Sequence, residues 1–427
     1  MTENQKTRRD KELELLTLVM SLSRKERLFL EKTIARGRVT KYIELFQWIL
    51  KTGNYKRIEY LKYQGFTNQK NQEKSLNNLR NVETNLFEHL YKTIRASAEK
   101  SILTKLSNLI AEADALKRRG QYLLALDRLD LAEREAKIHQ KFFVLVEIIP
   151  LKAEVILYLK EEDRQNAIEE QYCSLHNILI KLQEEANFRH QNVRWVLLSQ
   201  TIKSLTEIEE HYAKEFDQLV AQGFPESGTF YAKYYFYSVQ AIHNKIHKDA
   251  IGACRFQEQV VELWEQKAYK SIKKSNTKRY ITQLSNLATF AIGNQQYNIA
   301  QTSIDKIKTL KIEDADGAAE KEQAMLYAQQ TLYMNTENFE QAYQLIPNVE
   351  EALKTYSHQI NPSRKYTLSF HNLITCFLLG KYDEAHYWLS QTQYVIDLKR
   401  YEPRKDGQQF LHILQLAIFY HNNSVEF

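Results

Sequence analysis

Residues 113–132 read ADALKRRGQYLLALDRLDLA, and this stretch decides the fold. Leu106, Leu109, Ile110, Ala113 and Leu116 recur at the spacing of one helical stripe, which Lys117 and Arg118 close. Gly120 then interrupts the chain, Tyr122 follows, and Ala125 stands in the opening turn of a second helix. The order turn, aromatic, two residues, alanine returns as NQQYNIAQ at 294–301, TENFEQAY at 336–343 and GKYDEAHY at 380–387. Weaker copies are KEEDRQNAI at 160–168 and NKIHKDAI at 244–251. The alanines Ala125, Ala167, Ala250, Ala300, Ala342 and Ala385 are spaced by 42, 83, 50, 42 and 43 residues, so a repeat of about 42 residues runs through the body. A degenerate unit falls near 190–222. Two antiparallel helices joined by a tight turn approach most closely beside it, where only a small side chain fits. One such pair cannot bury its own apolar face, so pairs must stack.

Composition agrees. Of 427 residues only 11 are Gly and 5 are Pro, too few for the turns of a sheet-rich fold. None of those glycines falls in the GxGxxG or GxxxxGK[ST] spacing that cradles phosphates, which disfavours the common nucleotide-binding enzymes. Nearly every segment carries helical periodicity, and the expected fold is all-α. Cys173, Cys254 and Cys376 stand too far apart for a metal knuckle or a disulfide framework, and read as buried small hydrophobes. MTENQKTRRDKELE at the start has no apolar run of a signal peptide, and no segment approaches the length of a membrane span. The expected location is the cytoplasm.

The repeat residues resemble the tetratricopeptide repeat. Ala113, Gly120, Tyr122, Ala125 and Ala132 match that family's pattern at each of those places; Ala288, Tyr297 and Ala300, then Phe339 and Ala342, then Gly380, Tyr382 and Ala385 match it in part. The period near 42 exceeds the family's 34, and the closing proline is missing, which places the chain nearer divergent members seen in bacterial regulators. The resemblance covers roughly 106–400. It implies a right-handed α-α superhelix that acts as a non-catalytic scaffold or adaptor, with helix A side chains lining a concave groove that holds a protein or peptide segment. Carried over by place, the groove residues are Tyr235, Phe236, Val239, Ile242 and His243; Ser285, Asn286 and Thr289; Tyr327, Ala328, Thr331, Met334 and Asn335; and Phe370, His371, Ile374 and Phe377. Some of these side chains are alternatively expected to point into the neighbouring repeat.

Residues 1–105 lack the repeat and carry 22 Lys and Arg against 12 Asp and Glu, while the remainder carries 37 against 41. This marks a basic N-terminal module, 1–105, ahead of an array over 106–427. Ser23 and Glu26 have capping-box spacing for a helix through Ala35; further helices are expected at Tyr42–Leu50, Arg57–Tyr63 and Lys70–Ile102. Such an arrangement suits either a cap on the array or a helix-turn-helix. Arg8, Arg9, Arg24, Lys25, Arg27, Arg36, Arg38, Lys41, Lys56 and Arg57 could neutralise phosphates if they share a face, which gives the alternative reading of a nucleic-acid-binding regulator. A second basic run, KAYKSIKKSNTKRY at 267–280, contains Lys273, Lys274, Lys278 and Arg279 and no acid; it is expected as a protruding loop.

Signals of chemistry are weak. His243 and His247 have i, i+4 spacing but no third ligand or adjacent Glu, and read as two histidines near a helix end. The pairs Glu161/Glu162, Glu184/Glu185 and Glu209/Glu210 read as solvated faces, with no pocket to separate two pKa values. There is no nucleophile elbow. No metal or cofactor is called for. The C-terminal GQQFLHILQLAIFYHNN is an apolar helix that either tucks inward as a cap or offers a bare face to another subunit.

Overall fold

The computed structural model describes residues 3–22, 26–30, 41–66, 69–98, 101–159, 164–201, 224, 228–312, 315–356, 359–397 and 405–422. These are helical with short connections, and no strand occurs among the described residues. The chain is all-α. It divides into two compact units: Met1–Thr104 with Ile312–Ala318 and Tyr356–Gln359, and Lys105–Lys311 with Ala319–Thr355 and Ile360–Phe427.

The first unit contains α1 (Glu3–Ser21), α2 (Lys41–Thr52), α3 (Arg57–Tyr63) and α4 (Gln69–Ala98). Leu15, Val19, Leu45, Phe46, Ile49, Leu61, Leu86 and Leu90 form its core. Seven residues are too few to hold α3 by its own hydrogen bonds. It is fastened by Arg57, whose Nε and Nη2 each donate to the Glu83 carboxylate of α4 at 2.7 Å, while the Tyr55 hydroxyl donates to the same group. The sequence places Arg57 among candidate surface cations; it is instead buried, because its charge is satisfied by a residue 26 positions away. Burial and the adjacent Glu83 carboxylate push the Tyr55 phenol well above its usual pKa, so it stays a donor. The expected capping box at Ser23 lies outside the described residues, as do Arg24, Lys25, Arg36, Arg38 and the pairs Glu161/Glu162 and Glu209/Glu210.

The second unit runs through α5 (Ile102–Arg118), α6 (Tyr122–Ile138), α7 (Phe142–Ile156), α8 (Arg164–Thr201), α9 (Phe230–Ile246), α10 (Ala250–Glu265), α11 (Lys270–Ser275), α12 (Thr277–Gly293), α13 (Tyr297–Thr309), α14 (Ala315–Asn335), α15 (Phe339–Gln344), α16 (Ile346–Thr355), α17 (Pro362–Leu378), α18 (Tyr382–Asp397) and α19 (Lys405–Asn422). Neighbours in sequence are neighbours in space: α6 packs on α7, α7 on α8, α8 on α9, α9 on α10, α12 on α13, and α17 on α18. Lys105–Glu135 and Arg128–Glu112 ion pairs bridge α5 and α6.

One turn recurs. Gly120, Gln140, Lys248, Gln295, Glu337 and Gly380 each have positive φ, from 49° to 72°, as the middle residue of a three-residue connection. After each, the next N–H reaches back to a carbonyl in the preceding helix: Gln121 to Leu116, Lys141 to Ala136, Asp249 to Asn244, Gln296 to Ala291, Asn338 to Tyr333 and Lys381 to Cys376, all at 2.8–3.0 Å. This is the Schellman closure, which satisfies the last carbonyls of one helix and reverses the chain at once. The fourth residue of the following helix then sits at the crossing. Ala125, Ala300, Ala342 and Ala385 occupy that place and are fully buried. At α10 the place belongs to Ala253, which is buried, while Ala250 is exposed and stands where the other copies carry an aromatic. The alanine register read from HKDA is therefore three residues early.

Two further expectations change. The run 267–280 is not a protruding loop: a short 3-10 turn at Lys267–Tyr269 leads into α11, with Tyr269 and Ile272 buried and the Ser271 hydroxyl donating to the Ile138 carbonyl at 3.1 Å. Cys254 and Cys376 are buried, but Cys173 is exposed.

Two predictions follow from these contacts. Gly120→Ala and Gly380→Ala place a Cβ in the left-handed region and cost about 1–2 kcal/mol each, with no steric neighbour to blame; Glu337→Gly relieves the same strain and raises the urea midpoint. Glu83→Gln leaves buried Arg57 with only Glu12, at 4.0 Å, as a counter-charge, so the first unit loses about 3 kcal/mol in chemical denaturation.

Candidate functional site

The alanine register fixes which side chains each first helix of a pair turns to the same side. With Ala253 in place, the residues of α9 on that side are Ser238, Val239, Ile242, Lys245 and Ile246; Tyr235, Phe236 and His243 drop out of the set, and His243 lies against Trp195. The two aromatics are used elsewhere: Tyr235 is buried against Tyr231 and Tyr234, and half-buried Phe236 meets Phe188 and Phe224 edge-on. The α9 face is filled from α8, whose buried Trp195 packs on Val239, Ile242 and Ile246 and stands 5.1 Å from the His243 ring. His243 and His247 have ring centroids 4.3 Å apart, and no group of three or more potential ligands is placed to hold a metal ion among the described residues.

The opposite end is filled too. Phe370 of α17 stacks on Tyr366 and is met edge-on by Phe410 of α19, while Ile374 and Phe377 pack into the core that α17, α18 and α19 share. The face is thus closed by Trp195 at one side and α19 at the other. What lies between, on α12 and α14, is more open: Asn286 and Asn335 are exposed, and Thr289, Phe290, Tyr327, Thr331 and Met334 are half-buried.

Local chemistry shapes this strip. The hydroxyls of Thr289 and Thr331 donate to the Ser285 and Tyr327 carbonyls four residues back, and Asn335 Nδ2 does the same to Thr331. Their oxygens remain available as acceptors. Tyr327 lies under the Arg364 guanidinium, 3.9 Å from ring centroid to Cζ, and its other neighbour is His371 with rings stacked at 6.0 Å. Burial lowers the Arg364 pKa, against the pull of Tyr327 and Glu320. Lys245 reaches over the Phe290 ring at 5.3 Å, so cations flank the strip on both sides. Beneath it run buried amides: Gln257 Nε2 donates to Gln283, Gln283 Nε2 donates to the Tyr234 hydroxyl at 3.1 Å, and Gln330 Nε2 donates to Asn372.

Outside the strip, Glu185 is not a solvated carboxylate: burial raises its pKa while Arg189 and Lys141 pull it down. A groove of about 270 Å³ on the far side of the pairs is lined by Glu258, Glu262, Glu265, Leu287, Thr302 and Lys306. Lys273 lies 3.9 Å over the Tyr280 ring, Arg279 5.7 Å over Tyr234, and Lys274 and Lys278 are exposed. In the first unit Arg27 donates to the Met20 and Leu22 carbonyls, and Lys41 is exposed. The trace of all this in the sequence is slight. Register at α9 and the plugging of both ends depend on contacts between distant residues.

No protein-family model, no curated protein and no solved structure matches the chain. No described helix is long and apolar enough to cross a membrane.

His371 supplies a prediction. Its Nδ1 is buried without a hydrogen-bond partner, and burial with the neighbouring Arg364 charge lowers its pKa from 6.5 to about 4. Folded, this imidazole binds fewer protons than unfolded, so its contribution is complete above pH 6.5 and is lost as pH falls toward 4. Between pH 7 and 5 the wild type should lose roughly 1–2 kcal/mol more stability than His371→Gln, measured by urea unfolding at each pH.

Proposed function

We propose that the chain is a cytoplasmic, non-catalytic scaffold or adaptor: a tetratricopeptide-like array, coiled as a right-handed superhelix, that holds a protein or peptide segment against the strip of α12 and α14. One observation carries the reading. The first-helix faces are filled by the chain's own side chains at α9 and α17, yet between them a strip of Asn286, Thr289, Phe290, Tyr327, Thr331 and Asn335 keeps aromatic surface beside side-chain acceptors and donors. An extended segment needs that mixture: shallow apolar seats for alternate side chains and polar groups for its backbone. Tyr327 is the natural anchor, since Arg364 and His371 hold its ring still and little side-chain entropy is lost when a ligand covers it.

The alternative of a nucleic-acid-binding regulator working through residues 1–105 gains less support. Among the described cations there, Arg57 is spent on Glu83 and Arg27 on backbone carbonyls.

The test compares two aromatic truncations. With a photo-crosslinker at Asn335 to trap the bound segment from native lysate, Tyr327→Ala should abolish the adduct. Phe370→Ala should keep it, because Phe370 packs under α19, and should instead lower thermal stability by about 3 kcal/mol or less. Equal adduct formation by the wild type and Tyr327→Ala would remove the strip from consideration.

A further inference from the structure

From Gln266 through Ile304 the chain contains no Asp or Glu, and its six cations all fall between Lys267 and Arg279. The structure sorts them. Lys273 is turned inward over the Tyr280 ring, whereas Lys267, Lys270, Lys274, Lys278 and Arg279 are exposed. Among the described residues no carboxylate lies within 4 Å of Lys267, Lys270 or Lys274. The nearest acid in sequence, Glu265, is already claimed: Lys306 donates to it at 2.7 Å and the Tyr280 hydroxyl at 2.6 Å. This contrasts with other exposed lysines of the array, such as Lys105 and Lys354, which each have a carboxylate at 2.9 Å.

The segment is also held rigidly. Tyr269 and Ile272 anchor it inward, and Ser271 ties it to the end of α6. Lys270 and Lys274 are one helical turn apart, about 6 Å along the axis. We propose that Lys267, Lys270, Lys274 and Arg279 form a ridge that binds the phosphate backbone of double-stranded nucleic acid, a ligand separate from the peptide strip.

The class of ligand follows from what the ridge lacks. A protein partner is held by buried apolar or aromatic anchors, and here the aromatics Tyr269 and Tyr280 face inward, so the ridge offers charge alone. The same absence argues against single strands, whose bases are held by stacking on exposed rings. A duplex backbone, uniformly negative with a charge every ~3.4 Å of axis per strand, needs only a row of cations and is gripped without sequence preference.

The test is fluorescence anisotropy of a labelled 30-base-pair mixed-sequence DNA duplex with the full chain between 50 and 200 mM KCl. Four phosphate contacts give a slope of log affinity against log salt of about −3 to −4. Lys270→Ala/Lys274→Ala should flatten that slope by about 2 and weaken binding at least roughly tenfold at 50 mM, with an unchanged melting temperature showing that the fold is intact. Tyr327→Ala should leave the affinity and slope unaltered, which separates this ridge from the peptide strip. Three results would overturn the proposal: no duplex binding at 50 mM KCl; a double variant that binds as wild type while Arg36→Ala/Arg38→Ala loses binding; or competition by polyglutamate as effective, per charge, as by unlabelled duplex, which would make the partner an acidic protein.

Discussion

The left-handed residue at the middle of each three-residue connection is the constraint on which the rest of the second unit depends. One positive φ, closed by an N–H that returns to the preceding helix, reverses the chain in a fixed sense and leaves no slack between the two helices. Closest approach then falls on the fourth residue of the second helix. Ala125, Ala253, Ala300, Ala342 and Ala385 occupy that place after five of the six turns, while after the Gln140 turn it holds the buried Leu145, so the turn favours a small side chain without requiring one. The geometry is strict enough to be held at some strain: only two of the six left-handed positions are glycine, and Gln140, Lys248, Gln295 and Glu337 adopt the conformation without its freedom. Gln140 shows what offsets this in one case, since its Oε1 accepts from the Phe230 N–H at 2.6 Å.

That constraint also explains what the sequence reveals. Gly120 and Gly380 announce their turns, and the aromatic and alanine after them make the pairs at 122–138 and 382–397 readable by eye. Where Lys248 takes the glycine's place and Ala250 the aromatic's, an alanine still falls in the opening turn, and the eye settles three residues early. The error is small for the fold, because α10 begins at Ala250 either way. It matters for the site. A shift of three moves a residue most of the way around a helical turn, which exchanges Tyr235, Phe236 and His243 for Ser238, Lys245 and Ile246. Periodicity locates helices well; which side of a helix faces a ligand requires the register to be right.

Other features leave no local trace at all. The length of α8 is legible, but that its Trp195 reaches α9 and fills the face there depends on a pairing of residues more than 40 positions apart. The same holds for Arg57. Ten cations in the N-terminal module look alike as letters, and only the position of Glu83 on α4 shows that one of them is a core residue. Charge counted along the chain measures potential partners; burial decides which charges are still available. By that measure Arg57 and Arg27 of the N-terminal module are spent, whereas Lys267, Lys270 and Lys274 of the shorter run stand exposed.

The crossing rule has an exception that is informative. Twelve residues before the crossing alanine, the first helix of a pair has its own small residue: Ala113, Ala241 and Ala288 are buried there. In the last two pairs the same place holds Gln330 and Leu373, both fully buried. Gln330 there donates to the amide oxygen of buried Asn372 on α17. Gln330 Oε1 and Asn372 Nδ2 are left without partners, a cost of about 1–3 kcal/mol for each such group. Leucines would pack there without that penalty, so stability alone does not account for the pair. What the amides provide is direction: an amide aligned on an amide tolerates little sliding between α14 and α17, whereas apolar contacts between the same helices would tolerate a good deal. The position of Tyr327 relative to Arg364 and His371 depends on that alignment, because all three lie on those two helices. A partly unsatisfied polar contact in the core thus fixes the one aromatic of the strip that both helices hold.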